Sequence, residues 1–281
     1  MSTEVKDSLS EALSPEELAF LKTETGIQDT AELETHIVAI QKTASEVHDY
    51  PCIRRFGFVR TKINKDPVVY QHVLSLGRNL PDALLLDVGC CFGNDLRRIV
   101  YDGFPVKNAI ASDLRRDFWD LGHKLFRSTP DSFPVTFLAG DVFDANFLAL
   151  QSPGSTTPDL SSLKSLNDLH GRLSAIHSAS LFHLFSEPDQ LQLARKLAGL
   201  LSQRPGSMIF GCHGAQPTKG HVLGTRGRHM FCHSPESWRE MWDGEVFASG
   251  SVEVSAFLKN AGKVLNPTTD FHMMFWFVKR L

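Results

Sequence analysis

The feature that most limits what this chain can fold into is an apolar strand that leads directly into a glycine loop and a helix. Residues 83–88 read Ala-Leu-Leu-Leu-Asp-Val, a continuous run typical of a parallel strand buried on both faces. Gly89-Cys-Cys-Phe-Gly93 follows at once, and a helical pattern covers Asn94 to Tyr101. A buried strand joined to a helix by a glycine turn is half of a βαβ unit, so the sequence favours an α/β fold.

The same alternation continues downstream. Further strands are predicted at 108–113, 135–139, 173–178 and 207–212, and two more close the chain at 252–258 and 272–278. Helices are predicted at about 66–79, 118–126, 188–202 and 235–242. This order predicts a doubly wound, Rossmann-like sheet.

Residues 1–49 are polar-rich and helical by pattern. Ser14-Pro15-Glu16-Glu17 has the form of a helix start, with an N-cap serine, a proline and acids in the first turn. Apolar residues recur every three or four positions, at Leu18, Leu21, Leu33, Ile37 and Ile40. We therefore divide the chain into an N-terminal helical cap, 1–49, and a doubly wound domain, 50–281. Such narrow stripes cannot form a domain alone, so we expect the cap to cover the site or to form a homodimer interface.

Composition disfavours several classes of partner. The 281 residues carry 29 basic and 32 acidic side chains, so no net positive field attracts nucleic acid. The longest apolar stretches, such as Phe271 to Val278, fall short of the roughly 20 residues that cross a bilayer. The first residues lack the basic and apolar regions of a signal peptide. We expect a cytoplasmic protein with no nucleic-acid or membrane partner.

The five cysteines do not indicate a disulfide framework, because their number is odd and Cys90 and Cys91 are adjacent. Two Cys-His pairs, 212–213 and 232–233, raise a zinc site as an alternative. Structural zinc ligands usually stand two to four residues apart, whereas adjacent residues on a strand point to opposite faces. We therefore expect no metal.

The glycine loop suits a cofactor that carries adenosine. Gly89 and Gly93 permit close approach of the backbone, and the following helix presents free N–H groups. Asp113 ends the second predicted strand, where a carboxylate can accept hydrogen bonds from both ribose hydroxyls. After the third strand, Asp141 can accept from the adenine amine while the Val142 N–H donates to the ring. The alternative for Asp141 is a helix N-cap.

The loop does not match the common phosphate-binding patterns. Cys91 stands where G-x-G-x-x-G has its second glycine, and the chain contains no G-x-x-x-x-G-K-[ST]. Asp87 at the tip of the strand would repel a phosphate but suits an ammonium and a sulfonium, so S-adenosylmethionine fits the charges. A nucleotide-dependent reductase and a non-catalytic binding module stay open as alternatives.

Through Leu-Leu-Leu-Asp87-Val-Gly89-Cys-Cys-Phe-Gly93, Ala-Ser-Asp113-Leu114 and Gly140-Asp141-Val142, the chain resembles the class I S-adenosylmethionine-dependent methyltransferases. It is more closely similar to the small fungal O-methyltransferases of meroterpenoid and polyketide pathways. Tyr-Pro-Cys-Ile-Arg at 50–54, Asp-Val-Gly-Cys-Cys-Phe-Gly-x-Asp-x-Arg at 87–97 and Phe-His-Leu-Phe at 182–185 carry that similarity.

The resemblance covers about residues 50–281 and implies a seven-stranded sheet with a C-terminal β-hairpin. It implies that the first loop holds the methionine part of the cofactor, Asp113 and its neighbour Leu114 the ribose, and Asp141 with Val142 the adenine. Cys91 departs from the G-x-G-x-G of the wider class, so the loop should differ in detail.

On the substrate side, His183 follows the fourth strand and is the first candidate for a base or an orienting group. The alternative is a hydrogen-bonded core histidine, and His213, His221 and His229 are second choices. The glycine-rich loop from Gly214 to Gly227 could form a lid. Phe182 beside His183 is a candidate substrate contact.

Tyr50, Arg54 and Arg55 have a composition suited to clamping an aromatic acid by a guanidinium fork and ring stacking. The alternative is a solvated turn whose aromatic rings belong to the core. The family resemblance favours O-methylation of the carboxyl group of a hydrophobic terpenoid-linked or polyketide acid in secondary metabolism. A phenol methylated with the help of a histidine base is the alternative.

Overall fold

Strands and helices alternate along the chain, as the sequence predicts. The computed structural model describes residues 9, 13–150, 159–223, 229–263 and 270–281. The helices in these ranges are α1 (Pro15–Thr25), α2 (Thr30–Val47), α3 (Pro51–Arg54), α4 (Pro67–Asn79), α5 (Asn94–Tyr101), α6 (Arg116–Leu125), α7 (Glu187–Leu200) and α8 (Pro235–Trp242). The strands are β1 (Leu84–Val88), β2 (Ala109–Asp113), β3 (Thr136–Ala139), β4 (Leu173–Ala179), β5 (Met208–Ala215), β6 (Gly220–Leu223), β7 (His229–Cys232), β8 (Val252–Asn260) and β9 (His272–Arg280).

One seven-stranded sheet has the order β3-β2-β1-β4-β5-β9-β8. Its first five strands are parallel, and β8 and β9 form an antiparallel pair that joins through β9 to β5. The strand order reverses between β1 and β4, which is where ligands bind in open α/β sheets. The Rossmann-like sheet and its C-terminal antiparallel strand pair are therefore confirmed.

The apolar run of β1 is explained by burial on both faces. Leu85 packs into a core formed with α4 and α5, which includes Val73 and Leu96. Leu86 points to the other face and packs into a core formed with α7 and α8, which includes Leu197 and Trp238. Because helices cover both faces, neither side of β1 can be polar along its length.

The first N-terminal helix begins where the sequence predicts, and the N-terminal helices pack as a layer on α6. Ser14 caps α1 in a reciprocal capping box with Glu17. Leu33 and Ile37 of α2 lie in a third apolar core with Phe92 and Phe118. The layer thus covers the glycine loop, through Phe92, and α6, through Phe118. The domain boundary at residue 49 stays a prediction.

The largest difference from the sequence prediction lies in the glycine-rich stretch 214–227, which reads as a loop that could form a lid. In the structure, β5 extends to Ala215, and β6 pairs antiparallel with β7 in a small second sheet. Residues 224–228 lie outside the described residues, as does most of the predicted Ser/Pro/Thr-rich loop, 152–162. None of the helices within the described ranges is long and apolar enough to cross a bilayer.

Candidate active site at the carboxyl edge of the sheet

The loop between β1 and α5 is folded tightly against β2. The N–H groups of Gly89 and Cys90 both donate to the Ser112 carbonyl, at 2.8 and 3.1 Å. Gly89, Cys91 and Gly93 all have positive φ, of 74°, 51° and 71°. A non-glycine residue at such a φ is strained, and strain of this kind is concentrated at functional sites.

Glycine at position 93 is required by space as well as by φ. A Cβ atom there would lie 2.5 Å from Cζ3 of Trp119, and one at position 89 would lie 3.2 Å from Cδ1 of Leu181. Gly93 is also the N-cap of α5. The loop therefore keeps its backbone close to its neighbours because it has no side chain at these two positions.

Asp113 ends β2 and holds the loop in place. Its Oδ2 accepts the Cys91 N–H at 2.9 Å, and its Oδ1 accepts the Arg115 N–H at 2.9 Å. Burial raises the pKa of this carboxyl, although the two backbone hydrogen bonds oppose the change. Each oxygen keeps a second lone pair for a ligand hydroxyl. Leu114 beside it is 60% exposed, which leaves an apolar side chain at the rim of the site.

Asp141 and Val142 follow β3 at the same edge. Asp141 is exposed, and its Oδ1 accepts the Phe143 N–H at 2.9 Å, so it closes an Asx turn and does not cap a helix. The Val142 carbonyl accepts from Nζ of the buried Lys196 at 2.7 Å. Both residues are fixed in a turn on the β2–β3 side of β1.

Asp87 lies on the central strand β1, in the interior of the protein. Its side chain is buried, and its Oδ1 lies 2.8 Å from Nδ1 of His177 on the neighbouring β4. Burial raises the pKa of Asp87, and the charge of Asp87 raises the pKa of His177 against the effect of burial. The sequence pattern does not single out His177, although a polar residue in an apolar strand is the signal that could have revealed it.

His183 lies on a short helical turn after β4, next to β5. Its ring is half-buried, and its Nδ1 accepts the backbone N–H of Gly214 at 3.2 Å. Burial, with the charge of Lys62 adding to it, lowers the pKa of His183 to about 4. A backbone N–H can only donate, so the hydrogen bond assigns the neutral ring with its proton on Nε2.

Phe182 lies in the core. Its ring is fully buried among three tryptophans and His213, with its centroid 5.0 Å from that of Trp238. This packing anchors the turn that carries His183. The predicted substrate contact of Phe182 stays a prediction.

Tyr50, Arg54 and Arg55 lie in and around the short helix α3. The Tyr50 ring packs against Phe118 of α6, and Arg54 forms an ion pair with Asp49 at 3.0 Å. Arg55 is exposed. Tyr50 therefore packs against the doubly wound domain, whereas Arg54 pairs with a neighbouring carboxylate.

The structure adds Lys62, which no sequence pattern indicates. Its Nζ donates to Oγ of Ser180, the residue after β4, at 3.1 Å. Lys62 and Ser180 are 118 positions apart in the chain. Only the folded chain brings them together, at the edge where β1, β4 and β5 end.

The two Cys-His pairs do not converge on a metal. Nδ1 of His213 accepts from Nε1 of Trp276 at 2.9 Å, and Nδ1 of His233 lies 2.9 Å from Oγ of Ser237. In the part of the chain that the structure describes, no group of three or more His, Cys, Asp or Glu side chains could hold a metal ion. The second-choice histidines, His221 and His229, lie on β6 and β7, and both are exposed.

Comparison with known proteins gives consistent results. Residues 5–59 match the model of the meroterpenoid methyltransferase N-terminal domain. The asnovolin E/chermesin D methyltransferase nvfJ of Aspergillus novofumigatus is 33% identical over 78% of this chain and 72% of its own length. The O-methyltransferase phiE of a fungal species is 31% identical over 76% of this chain and 66% of its own length.

Methyltransferase prhM of Penicillium brasilianum is 31% identical over 79% of this chain and 72% of its own length. Among solved structures, the Burkholderia thailandensis 1,6-didemethyltoxoflavin-N1-methyltransferase superposes with a TM-score of 0.51. At 14% identity over 87% of this chain and 89% of that one, this likeness concerns the fold alone.

Proposed function

The chain belongs to the fungal meroterpenoid methyltransferase family, and from this premise we propose that it transfers a methyl group from S-adenosylmethionine to the carboxylate of a hydrophobic small molecule. The acceptor would be a terpenoid-linked or polyketide acid of secondary metabolism.

The residues at the carboxyl edge fit this cofactor. Asp113 has lone pairs left for two ribose hydroxyls, and Asp141 with Val142 stands one strand further, where the adenine would lie. Gly89 and Gly93 let the loop after β1 pack closely against Leu181 and Trp119, and we place the methionine part of the cofactor beside the backbone of this loop. When bound, S-adenosylmethionine supplies an electrophilic methyl group on a sulfonium.

The protein's contribution to such a displacement is alignment and the exclusion of water. Leu181 packs over Gly89, and the turn that carries His183 is bonded to Gly214 of β5. An acceptor would be held against Leu181 and this turn. Well-oriented pairs of reactants gain roughly 7–11 kcal/mol from positioning alone. A carboxylate is already ionised at neutral pH and needs no base.

The observation that carries the choice of acceptor is the hydrogen bond from Gly214 N–H to His183 Nδ1. This nitrogen is occupied, and the other carries the proton, so His183 can donate a hydrogen bond but cannot remove a proton from a phenol in this arrangement. A pKa of about 4 keeps the ring neutral throughout the physiological range. These properties favour an acceptor that is already an anion.

The test is product analysis with matched acceptors. We would use farnesoic acid, 2,4-dihydroxy-6-methylbenzoic acid, the methyl ester of the latter, and matching phenols that carry no carboxyl group. We expect methyl esters from the acids and no product from the ester or the phenols, with kcat/KM flat between pH 6 and 8. Methylation of the phenols that is lost in His183→Ala would replace this proposal with the phenol mechanism.

Failure to bind S-adenosylhomocysteine would favour one of the two remaining alternatives. A reductase would bind NADPH in its place. A non-catalytic module would show no turnover with either cofactor. Calorimetry with both ligands separates these cases.

A further inference from the structure

The ammonium group of Lys62 lies at the candidate site and forms no direct ion pair with a carboxylate of the described residues. In the described ranges, the ion pairs of the chain include none between Lys62 and a carboxylate, and its Nζ donates to the neutral hydroxyl of Ser180. Asp95 is close, but its Oδ1 accepts the backbone N–H groups of Lys62 and Ile63, at 2.5 and 2.9 Å. A half-buried ammonium without a direct ion pair can donate to the anion of a ligand.

The backbone that carries Lys62 is fixed from two sides. Glu17 of α1 accepts the Thr61 N–H at 3.3 Å and the Lys65 ammonium at 2.9 Å. Asn94, at the start of α5, donates to the Arg60 carbonyl at 2.5 Å. Three side chains outside this loop, Glu17, Asn94 and Asp95, therefore hold it, which is the kind of support that keeps a functional side chain in one place.

Ser180 is held in an unfavourable conformation. Its φ is 56°, a value that residues other than glycine rarely adopt, and its N–H donates to the Cys212 carbonyl at 2.7 Å. The strain is local to the point where β4 ends and where the hydroxyl meets Lys62. Strained residues that persist at a ligand-binding edge indicate a functional constraint.

The position of this pair relative to the sheet separates it from the cofactor residues. Asp113 ends β2 and Asp141 follows β3, both on one side of β1. Ser180 follows β4 on the other side of β1 and is bonded to β5. Neighbouring strands are about 4.8 Å apart, so the pair lies on the half of the edge that an adenosine over β1 to β3 leaves free. This is the half where an acceptor would stand.

We infer that the Lys62 ammonium and the Ser180 hydroxyl bind the carboxylate of the acceptor acid and hold it for methylation. The inference rests on the proposed function and adds the residues that select an acid. His183 lies in the same region, and its Nε2–H is a third donor on this side of the site. Burial opposes the charge on Lys62, but its surroundings, which include the carboxylate of Asp95, raise its pKa, so the group is cationic at neutral pH.

The experiment compares Lys62→Met with Lys62→Arg, Ser180→Ala and the exposed-lysine control Lys107→Met. The acid is 2,4-dihydroxy-6-methylbenzoic acid, and its methyl ester serves as an uncharged competitive inhibitor of the same shape. For each variant we would measure KM and kcat for the acid at saturating S-adenosylmethionine, the inhibition constant of the ester, and the affinity for S-adenosylhomocysteine.

We expect Lys62→Met to raise KM for the acid about 10- to 100-fold, as for a lost charge-assisted hydrogen bond. The ester's inhibition constant and the affinity for S-adenosylhomocysteine should change less than threefold, which also shows that the variant is folded. Lys62→Arg should recover part of the affinity, Ser180→Ala should show a smaller loss, and Lys107→Met should match the wild type.

Two results would overturn the inference. If the KM for the acid and the inhibition constant of the ester rise equally in Lys62→Met, Lys62 only supports the pocket. A loss of S-adenosylhomocysteine affinity with unchanged KM for the acid would mean that the ammonium holds the amino-acid part of the cofactor. If the wild type methylates no acid at all, the proposed function has failed, and this outcome is seen before any variant is made.

Discussion

Asp87 on β1 and His177 on β4 form a buried pair, with Oδ1 and Nδ1 2.8 Å apart in the two central strands of the sheet. Both side chains are almost completely shielded from solvent. The pair joins the two strands between which the strand order reverses. Breaking such a pair by removing one partner leaves an uncompensated buried polar group.

The pair should make stability fall as pH rises. The charge of Asp87 raises the pKa of His177 above 6.5, so the stabilisation is fully present below that pH and is lost through the folded-state pKa. Burial also raises the pKa of Asp87. This shift likewise makes stability fall as pH rises, because the folded state then binds protons more tightly than the unfolded state. We expect His177→Phe to cost about 3–5 kcal/mol at pH 6 and less at pH 8.5.

Urea unfolding at both pH values would measure this change. The double variant Asp87→Leu/His177→Phe should lose less than the sum of the two single variants, because it buries no unpaired group. Additive losses would show that the two side chains do not act as a pair.

Asp113→Ala should weaken S-adenosylhomocysteine binding roughly 10- to 100-fold, because it removes the proposed acceptor of the two ribose hydroxyls. It also frees the Cys91 N–H that fixes the loop. Calorimetric titration measures the affinity, and Asp117→Ala, an exposed acid in the first turn of α6, is the matched control. An unchanged affinity for Asp113→Ala would remove this residue from the cofactor site.

Gly93→Ala should destabilise the fold more than Gly103→Ala. Both positions have positive φ, so both alanines carry backbone strain of about 1–2 kcal/mol. Only the alanine at position 93 meets the Trp119 ring, whereas nothing lies within 4 Å of a Cβ at position 103. Equal urea midpoints for the two variants would show that Trp119 moves aside freely.

Glu17→Gln should detach the N-terminal helix from the Lys62 loop and cost about 1–3 kcal/mol. Burial raises the pKa of Glu17, but the Ser14 backbone and Lys65 outweigh this effect and lower it. Its contribution is therefore present above pH 4.5 and is lost as pH falls through the folded-state value. Acid unfolding of the wild type and of Glu17→Gln, with exposed Glu46→Gln as control, would test this.

The sequence alone determined the alternation of strands and helices along the chain, and it indicated the residues that we propose as the cofactor site. Local signals were sufficient there, because the apolar run of β1, the glycine loop and Asp113 all lie within 30 residues and each acts on its neighbours. Periodicity and capping likewise located α1, α4 and α8, whose N-caps are Ser14, Asp66 and Ser234.

Only the tertiary structure decided the contacts on the other side of β1, where we propose that the acceptor binds. Lys62 meets Ser180, Asp87 meets His177, and Gly214 sets the tautomer of His183 through contacts that span between 31 and 118 positions. No periodic pattern encodes such contacts, because they depend on which strand ends lie side by side after the chain has crossed the sheet. The β6–β7 pair was hidden for a related reason, since its glycines and histidines give weak strand propensity and only the pairing between the two segments makes them strands.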